Sequence, residues 1–583
     1  MIDLPPPEPP AYVIVIQADD LGYDDLAVNG NPIIETPNLD RLARNSVTAT
    51  HFVVNPVCSA SRASFLTGRH FLRTGVSHVH GGKEFLHRDE VTLGDAFQQG
   101  GWKTATWGKW HSGTTDGYLP WDRGFDEAFV ADLYRHENAR GLFNGQRIET
   151  DQWADALLVD YVIQFLEKQR GEPGFLYLST MTPHTPLHCP EPYREPYLNQ
   201  GLSDRLATLY GMITYLDEEL GRLFNFLETE GLAEDTLILF FSDNGPAINN
   251  GLLTDEDRHV RKTSSRRGWK GDIWENGVIS PLFIHWPAKL APRVIRTRLD
   301  QVDLYPTLLD LCGIDFPEGQ LELDGESFAS ALLNGEEPEA RPIFNYAHPG
   351  WITSRRPYTP VGIRGEYNPV SQEAKLGLKA TEQPISVTFG RYKLLFNPFI
   401  PEQNPESDDR FMLVDLFRDP GETKDIKSES PEVFTELRGK LSSWYAGIQA
   451  AEHSYTSPYL VIDGDTEIAA DNVSRVSPTN QNTVHFVQGW NAVGQFAEYQ
   501  IEVKTPGVYT VKLDWLVAPE PGFHFQIQSS GSSATGVSGE GSETSLGALR
   551  LETESNHLTL SLKDLPGGVE RASQLAAIHL SLE

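Results

Sequence analysis

Cys58-Ser59-Ala60-Ser61-Arg62 sets a thiol and a guanidinium four residues apart, and Ala63 to Arg69 carries the segment past a stop at Gly68. Residues four apart share one face of a helix, and a helix opening at Cys58 turns its backbone N–H groups toward the sulfur. The implied chemistry is a nucleophile at an anion-binding helix end. Asp19-Asp20 and Asp243-Asn244 add three carboxylates and an amide oxygen. Such hard donors suit Ca²⁺ or Mg²⁺, and no His/Cys cluster argues for zinc. Without a cation, three carboxylates in one cleft would repel and shift upward in pKa. Lys109 and His111 lie two apart in Gly108-Lys109-Trp110-His111-Ser112-Gly113. On extended chain that spacing gives one face, offering fixed charge and proton transfer near neutral pH. His184 sits in the proline-stiffened loop Pro183 to His188, and Lys270 precedes a glycine that permits close approach.

Positioning these groups takes a sheet. Tyr12–Ile16, Thr104–Trp107, Phe175–Ser179, Thr236–Phe241 and Leu282–His285 are short apolar runs that read as buried strands. Helical patterns at Asp151–Arg170 and Leu206–Leu227 alternate with them; in the second, Leu209, Ile213, Leu216, Leu220, Leu223 and Leu227 recur at helical steps. The expectation is an α/β domain with a sheet sandwiched by helices. Asp19-Asp20, Lys109, His184 and Asp243-Asn244 each fall just past the C-terminal end of a strand, where open α/β sheets bind ligands.

The chain has 583 residues, enough for several domains. Residues 1–340 read as the catalytic α/β domain. Residues 341–452 read as a small α+β subdomain, with strands at 343–346, 385–389, 392–396 and 411–417 and a helix from Pro431 to about Ile448. Residues 453–583 show period-two alternation and read as a β-sandwich, an accessory module like those that bind carbohydrate, with the Gly/Ser-rich stretch Ser529–Ser545 lying between the alternating segments. Cys58, Cys189 and Cys312 imply no disulfide framework. Cys312 ends an apolar helix-like run and reads as core, while Cys189 stays ambiguous. A formal charge of −33 excludes nucleic acid as a partner. An anionic substrate therefore needs a local basic field. Arg258, His259, Arg261, Lys262, Arg266, Arg267 and Lys270 form one such run, either steering an anion or merely balancing nearby acids. No apolar run is long enough to span a bilayer.

The run from Cys58 to Arg69 resembles the signature of type I sulfatases, members of the alkaline-phosphatase-like superfamily. Asp19-Asp20-Leu21-Gly22-Tyr23, Gly108 to Gly113 with Arg123-Gly124-Phe125-Asp126, Ser242-Asp243-Asn244-Gly245, Lys270-Gly271 with Glu275-Asn276-Gly277, and Val414-Asp415-Leu416 with Asp419-Pro420 and Glu422 resemble that family's further motifs in order. Ala60, Ser112, Asn276 and Ile279-Ser280 depart from the usual residues without removing a chemical group. The resemblance implies that Cys58 is oxidised to formylglycine by a formylglycine-generating or anaerobic sulfatase-maturating enzyme. It implies Ca²⁺ held by Asp19, Asp20, Asp243, Asn244 and the modified Cys58. Arg62, Lys109 and Lys270 would grip sulfate, and His184, with Lys270, would protonate the leaving alcohol. His111 would deprotonate the second hydroxyl of the hydrated aldehyde to expel sulfate from a covalent sulfo-enzyme.

On this resemblance the expected activity is hydrolysis of sulfate esters on a saccharide. The alternatives are a phosphonate or phosphodiester hydrolase on the same fold and a non-catalytic binder of sulfated glycans. Substrate contacts are assigned to His78, His80, Arg135, His136, His188, Arg266, Arg267 and Arg355. The loop Pro349–Tyr367 reads equally as pocket rim or ordinary surface. The expected location is periplasmic or secreted in a bacterium, with a signal peptide already removed.

Overall fold

The computed structural model describes residues 8–79, 82–247, 253–347, 384–398, 410–454, 458–477, 480–482, 486–567 and 572–583. His80, Arg355 and the loop 349–367 lie outside the described residues.

Ten strands form the main sheet: β1 (Tyr12–Ala18), β2 (Val47–Ala49), β3 (Lys103–Gly108), β4 (Glu127–Ala131), β5 (Arg140–Phe143), β6 (Gln146–Glu149), β7 (Gly174–Ser179), β8 (Thr236–Ser242), β9 (Leu282–His285) and β10 (Arg293–Ile295). Their spatial order is β10-β2-β9-β8-β1-β7-β3-β4-β5-β6. The five strands β8-β1-β7-β3-β4 are mutually parallel, and antiparallel pairs flank them. Every residue of β1 is buried, as a continuous apolar strand covered on both faces must be. Side chains alternate across it: Tyr12, Ile14 and Ile16 join the core under α4 (Ala154–Lys168) and α5 (Asp204–Thr229). Val13 and Val15 join the opposite core, with α3 (Leu93–Gln99) and α6 (Leu304–Cys312). The predicted leucine stripe on α5 is buried from Leu206 to Leu227.

Helix α2 (Cys58–Thr67) is buried along its whole length. Phe65 and Leu66 pack toward the main sheet, while Cys58, Ala60 and Ala63 pack against a second layer. That layer is an antiparallel sheet, β11 (Ile343–Tyr346), β12 (Ile385–Phe389), β13 (Tyr392–Phe396) and β14 (Phe411–Asp415), with α7 (Pro431–Ala450). Gly68 ends α2 in the left-handed region, at φ 67°. A Cβ there would lie 2.8 Å from Tyr305 Cβ, so glycine is required for the turn and for the close approach.

The C-terminal region holds two six-stranded sheets. One runs 460–462, 496–503, 557–564, 524–529, 532–537, with 475–476 also paired to 496–503; the other runs 481–482, 487–489, 573–582, 507–517, 543–551, with 466–469 also paired to 573–582. Their inward apolar residues share one core, which also takes in Phe85 and Tyr118 of the catalytic domain. The Gly/Ser-rich stretch Ser529–Ser545 itself takes part in the sheets. It contains the strand Ser532–Val537 and the start of Glu543–Leu551, whose small polar residues hide the alternation in sequence. Trp515 and Trp490 meet edge to face at 6.2 Å within this core.

Candidate active site

The C-terminal ends of β1, β3, β7 and β8 deliver one side chain after another to a single rim. Asp19 and Asp20 follow β1, Lys109 follows β3, His184 lies beyond β7, and Asp243 and Asn244 follow β8. The first turn of α2 brings Cys58 to the same place. Among the described residues no side chain caps that helix, so its leading N–H groups are open to an anion or a polar side chain.

Ion pairs knit the cluster. Lys109 Nζ lies 2.6 Å from Asp19 Oδ2, Lys270 Nζ lies 2.6 Å from Asp20 Oδ1, and Arg62 lies 2.8 Å from Asp243 Oδ2. Arg62 is wholly buried and also donates to the Lys109 carbonyl at 3.1 Å and to Ser179 Oγ. His184 Nε2 is 3.7 Å from Asp20 Oδ2, and its Nδ1 is 2.7 Å from the Thr185 carbonyl. Asn244 donates to Asp20 Oδ1 at 2.7 Å, and the Asp20 backbone N–H donates to Asp243 Oδ1 at 3.2 Å. Asp20 itself has φ 68°, a strained position for a non-glycine residue that the surrounding contacts must hold.

The donor set fits a hard divalent cation. Ligand atoms of Asp19, Cys58 and Asp243 lie within 4.8 Å of one another, as do those of Asp19, Asp20 and His184. Among the described residues, Asp19 Oδ1 and Asn244 Oδ1 are buried acceptors with no hydrogen-bond partner. Orphaned buried acceptors are costly, and a cation would satisfy both. The electrostatics point the same way. Burial pushes Asp19 up, but Lys109, His184, Arg62 and Lys270 outweigh it and hold the carboxyl below its ordinary value. Burial and then Asp19 push Asp243 well above the ordinary range, with Arg62 opposing. Burial lowers His184 and His111, and neighbouring lysines lower both further while Asp20 opposes this at His184; His111, set well below its ordinary value, is neutral. Burial disfavours the charged form of Lys270, yet Asp20 and Cys58 raise it well above its usual value and it stays cationic.

A family model for sulfatases ("Sulfatase") matches residues 11–314, about half of the chain. The chain belongs to the sulfatase family. This sulfatase is 28% identical to mouse N-acetylgalactosamine-6-sulfatase over 379 residues, covering 58% of its own chain and 69% of the relative. It is 28% identical to human arylsulfatase A over 477 residues, covering 74% and 86%. The solved structure of Ps i-CgsB in complex with k-i-k-neocarrahexaose superposes with a TM-score of 0.62 at 24% identity, over 77% of the sulfatase and 95% of that chain. Its fold is thus the alkaline-phosphatase-like α/β fold, and its reaction class is sulfuric ester hydrolysis. Among the described residues no helix is long and apolar enough to cross a membrane.

The remaining assigned residues scatter more. His111 does not continue an extended strand. It turns to φ 55°, and its Nε2 meets the Val79 carbonyl at 2.5 Å rather than lying parallel to Lys109. His78 is buried, and its carbonyl accepts from Ser59 Oγ within the first turn of α2. His136 is buried, and its Nε2 lies 2.8 Å from the His184 carbonyl, behind that ring rather than toward substrate. His188 is exposed, paired with Glu137 and stacked on Trp153. Arg135 is half-buried. Arg266 lies over the Tyr23 ring at 4.3 Å, and Arg267 lies over Trp274 at 3.9 Å while donating to the Glu422 carbonyl. Of the basic run, Arg261 is sealed against Asp25 and Arg258 pairs with Asp255. Most of that run braces the loop that carries Lys270. Cys189 is buried, with its sulfur 2.7 Å from where a Cβ at Gly211 would stand, which places it in packing.

Tyr134 is the residue that sequence reasoning missed. It has φ 65° and stacks on His184 at 4.8 Å. Burial pushes its phenol up to about 12, and Lys109 and Cys58 both act on it, which sets it beside Cys58. Its only signal in sequence was adjacency to Arg135-His136.

Proposed function

We propose that this sulfatase hydrolyses sulfate esters of a sulfated saccharide, with residue 58 acting after oxidation to formylglycine and with Ca²⁺ held at the rim. The observation that carries the reading is the convergence of Cys58 with Asp19 and Asp243 within 4.8 Å, ringed by the buried cations Arg62, Lys109 and Lys270. Hydrated formylglycine supplies a hydroxyl nucleophile for sulfur, and the calcium ion adds positive charge beside it. Asp19, Asp20, Asp243 and Asn244 would hold the ion through oxygen.

The chain's own groups do the rest. Lys109, Arg62 and Lys270 form a fixed cationic wall against which three sulfate oxygens can settle, and they stabilise charge that grows during transfer. His184, oriented by its contact with the Thr185 carbonyl, would in its protonated form pass the Nε2 proton to the departing alcohol, with Tyr134 stacked on its ring. His111, neutral beside Lys109, can accept the proton of the nucleophilic residue. The saccharide class is supported by the carbohydrate sulfatase among the relatives and by the carrageenan-type oligosaccharide bound to the structural neighbour. The C-terminal sandwich, locked to the catalytic domain through Phe85 and Tyr118, would brace the domain or present glycan to it.

Peptide mass spectrometry across Cys58, combined with sulfate release from a panel of defined sulfated oligosaccharides, tests the reading. The expected result is an aldehyde at residue 58 and release from at least one saccharide, at higher catalytic efficiency than on a matched phosphate diester. An aldehyde without sulfate release from any saccharide, or an intact thiol in active enzyme, overturns it.

A further inference from the structure

A second set of metal-ligating side chains lies outside the catalytic rim. His87 and Asp89 belong to the catalytic domain, and His453 lies just beyond the end of α7 at Ala450. One ligand atom from each falls within 4.8 Å of the other two. His453 Nε2 is 2.6 Å from Asp89 Oδ2, and the two imidazole rings stack with centroids 4.0 Å apart and planes 21° apart. A Cβ at Gly75, which has φ 90°, would run into the His87 ring, so the backbone there makes room for this imidazole. The flanking charges are spoken for: Arg88 pairs with Glu502 of the sandwich, and Glu90 pairs with Arg69 at 2.6 Å.

We propose that His87, Asp89 and His453 bind one divalent transition-metal ion, zinc foremost, which pins the segment leaving α7 to the catalytic domain. Two imidazoles and one carboxylate are a borderline N/O set, chemically distinct from the all-oxygen protein ligands at the rim. Metal bonds of about 2.0–2.2 Å in a tetrahedron bring ligand atoms to about 3.4 Å apart. The observed spacing is a small side-chain adjustment away. On binding, the contact between His453 and Asp89 is replaced by two bonds to the ion, and any proton on His453 leaves to solvent. Water takes the fourth position. His87 and His453 are partly exposed and Asp89 is exposed, which leaves an entry path from solvent. The ion would close a loop across 364 residues of sequence, at the connection that leads into the first sandwich strand at Leu460. This inference does not depend on the substrate or on the state of residue 58.

The test uses the full chain, stripped of metal and then saturated with calcium to occupy the rim. Zinc chloride is titrated by calorimetry, and melting is followed with and without zinc. The wild type is expected to bind one zinc equivalent and to melt higher with zinc. His453→Ala and Asp89→Ala should each bind zinc at least tenfold more weakly and lose the zinc-dependent shift. Cobalt(II) in place of zinc should give visible d–d bands in the wild type that both variants lack. Equal zinc stoichiometry and affinity in all three proteins, or no zinc bound by the wild type, overturns the proposal. Both substitutions lie outside the apolar clusters, and either variant alone suffices if the other fails to fold.

Discussion

Two buried charge clusters in this sulfatase look alike in composition and differ in completeness. At the rim, Asp19, Asp20 and Asp243 face Lys109, Lys270 and Arg62. Between the catalytic domain and the small subdomain, Glu275 and Glu422 face Arg298 and Lys393. In the second cluster all four carboxylate oxygens meet a cation or an N–H. Glu275 Oε1 lies 2.6 Å from Arg298 and its Oε2 lies 3.5 Å from Lys393; Glu422 Oε1 lies 2.9 Å from Lys393 and its Oε2 accepts from the Glu275 backbone at 2.7 Å. At the rim, Asp19 Oδ1 and Asn244 Oδ1 are left without partners, and Asp20 carries backbone strain. A closed network holds two domains in register. An open one keeps acceptors for a ligand, and the surrounding fold must stabilise it.

Breaking the rim should cost activity and spare the fold. Cys58→Ser, left unoxidised, is expected to lower kcat on an aryl sulfate by more than about 10³-fold, with circular dichroism unchanged, because a serine side chain has no second hydroxyl to expel the sulfate. Near-normal turnover would place the nucleophile elsewhere. Calcium removal by chelation should silence the wild type, and adding calcium back should restore it. Asp243→Asn should need far more calcium for half-maximal rate. Rates indifferent to chelator would remove the ion from the reading.

Breaking the closed network should do the reverse. Lys393→Met buries two carboxylates without their shared ammonium and is expected to cost about 3–5 kcal/mol in denaturant unfolding, with kcat/KM per folded molecule preserved. A large fall in kcat/KM at full folding would merge the two clusters into one functional unit.

A third buried acid sharpens the contrast through pH. Glu84 lies where the catalytic domain meets the sandwich, and burial and then Asp471 push it up to about 8 while Lys83 pulls the other way. Its ordinary value is 4.5, so between the two the folded chain keeps a proton that the unfolded chain releases. Its contribution to stability is therefore fully present below 4.5 and lost as pH rises to about 8. The melting temperature of the wild type relative to Glu84→Gln should fall from about pH 5 to about pH 8. A constant difference would show that Glu84 is ionised at the interface.

Much of this was legible in one dimension. Uninterrupted apolar runs announced β1, β7 and β8, since strands buried on both faces leave no polar positions. The leucines of α5 announced a helix that covers them. Asp19-Asp20, Lys109, His184 and Asp243-Asn244 stood out as polar groups at strand ends. The small residues of 532–537 hid a strand because their alternation carries little hydrophobic contrast. Tyr134 and the His87–Asp89–His453 cluster were silent, because nothing local distinguishes a tyrosine or a histidine that meets its partner through the fold.

The order of residues set which chemistry the chain could carry: a cysteine opening a helix, hard oxygen donors, and cations near the strand ends. Packing of the fold selected which of the cations serve it. It set Arg62, Lys109 and Lys270 against the carboxylates of the rim and committed Arg258, Arg261, Arg266 and Arg267 to neighbouring acids and aromatic faces. A guanidinium's type is written in the chain, but its partner is whichever charge or ring the packed fold brings within a few ångströms.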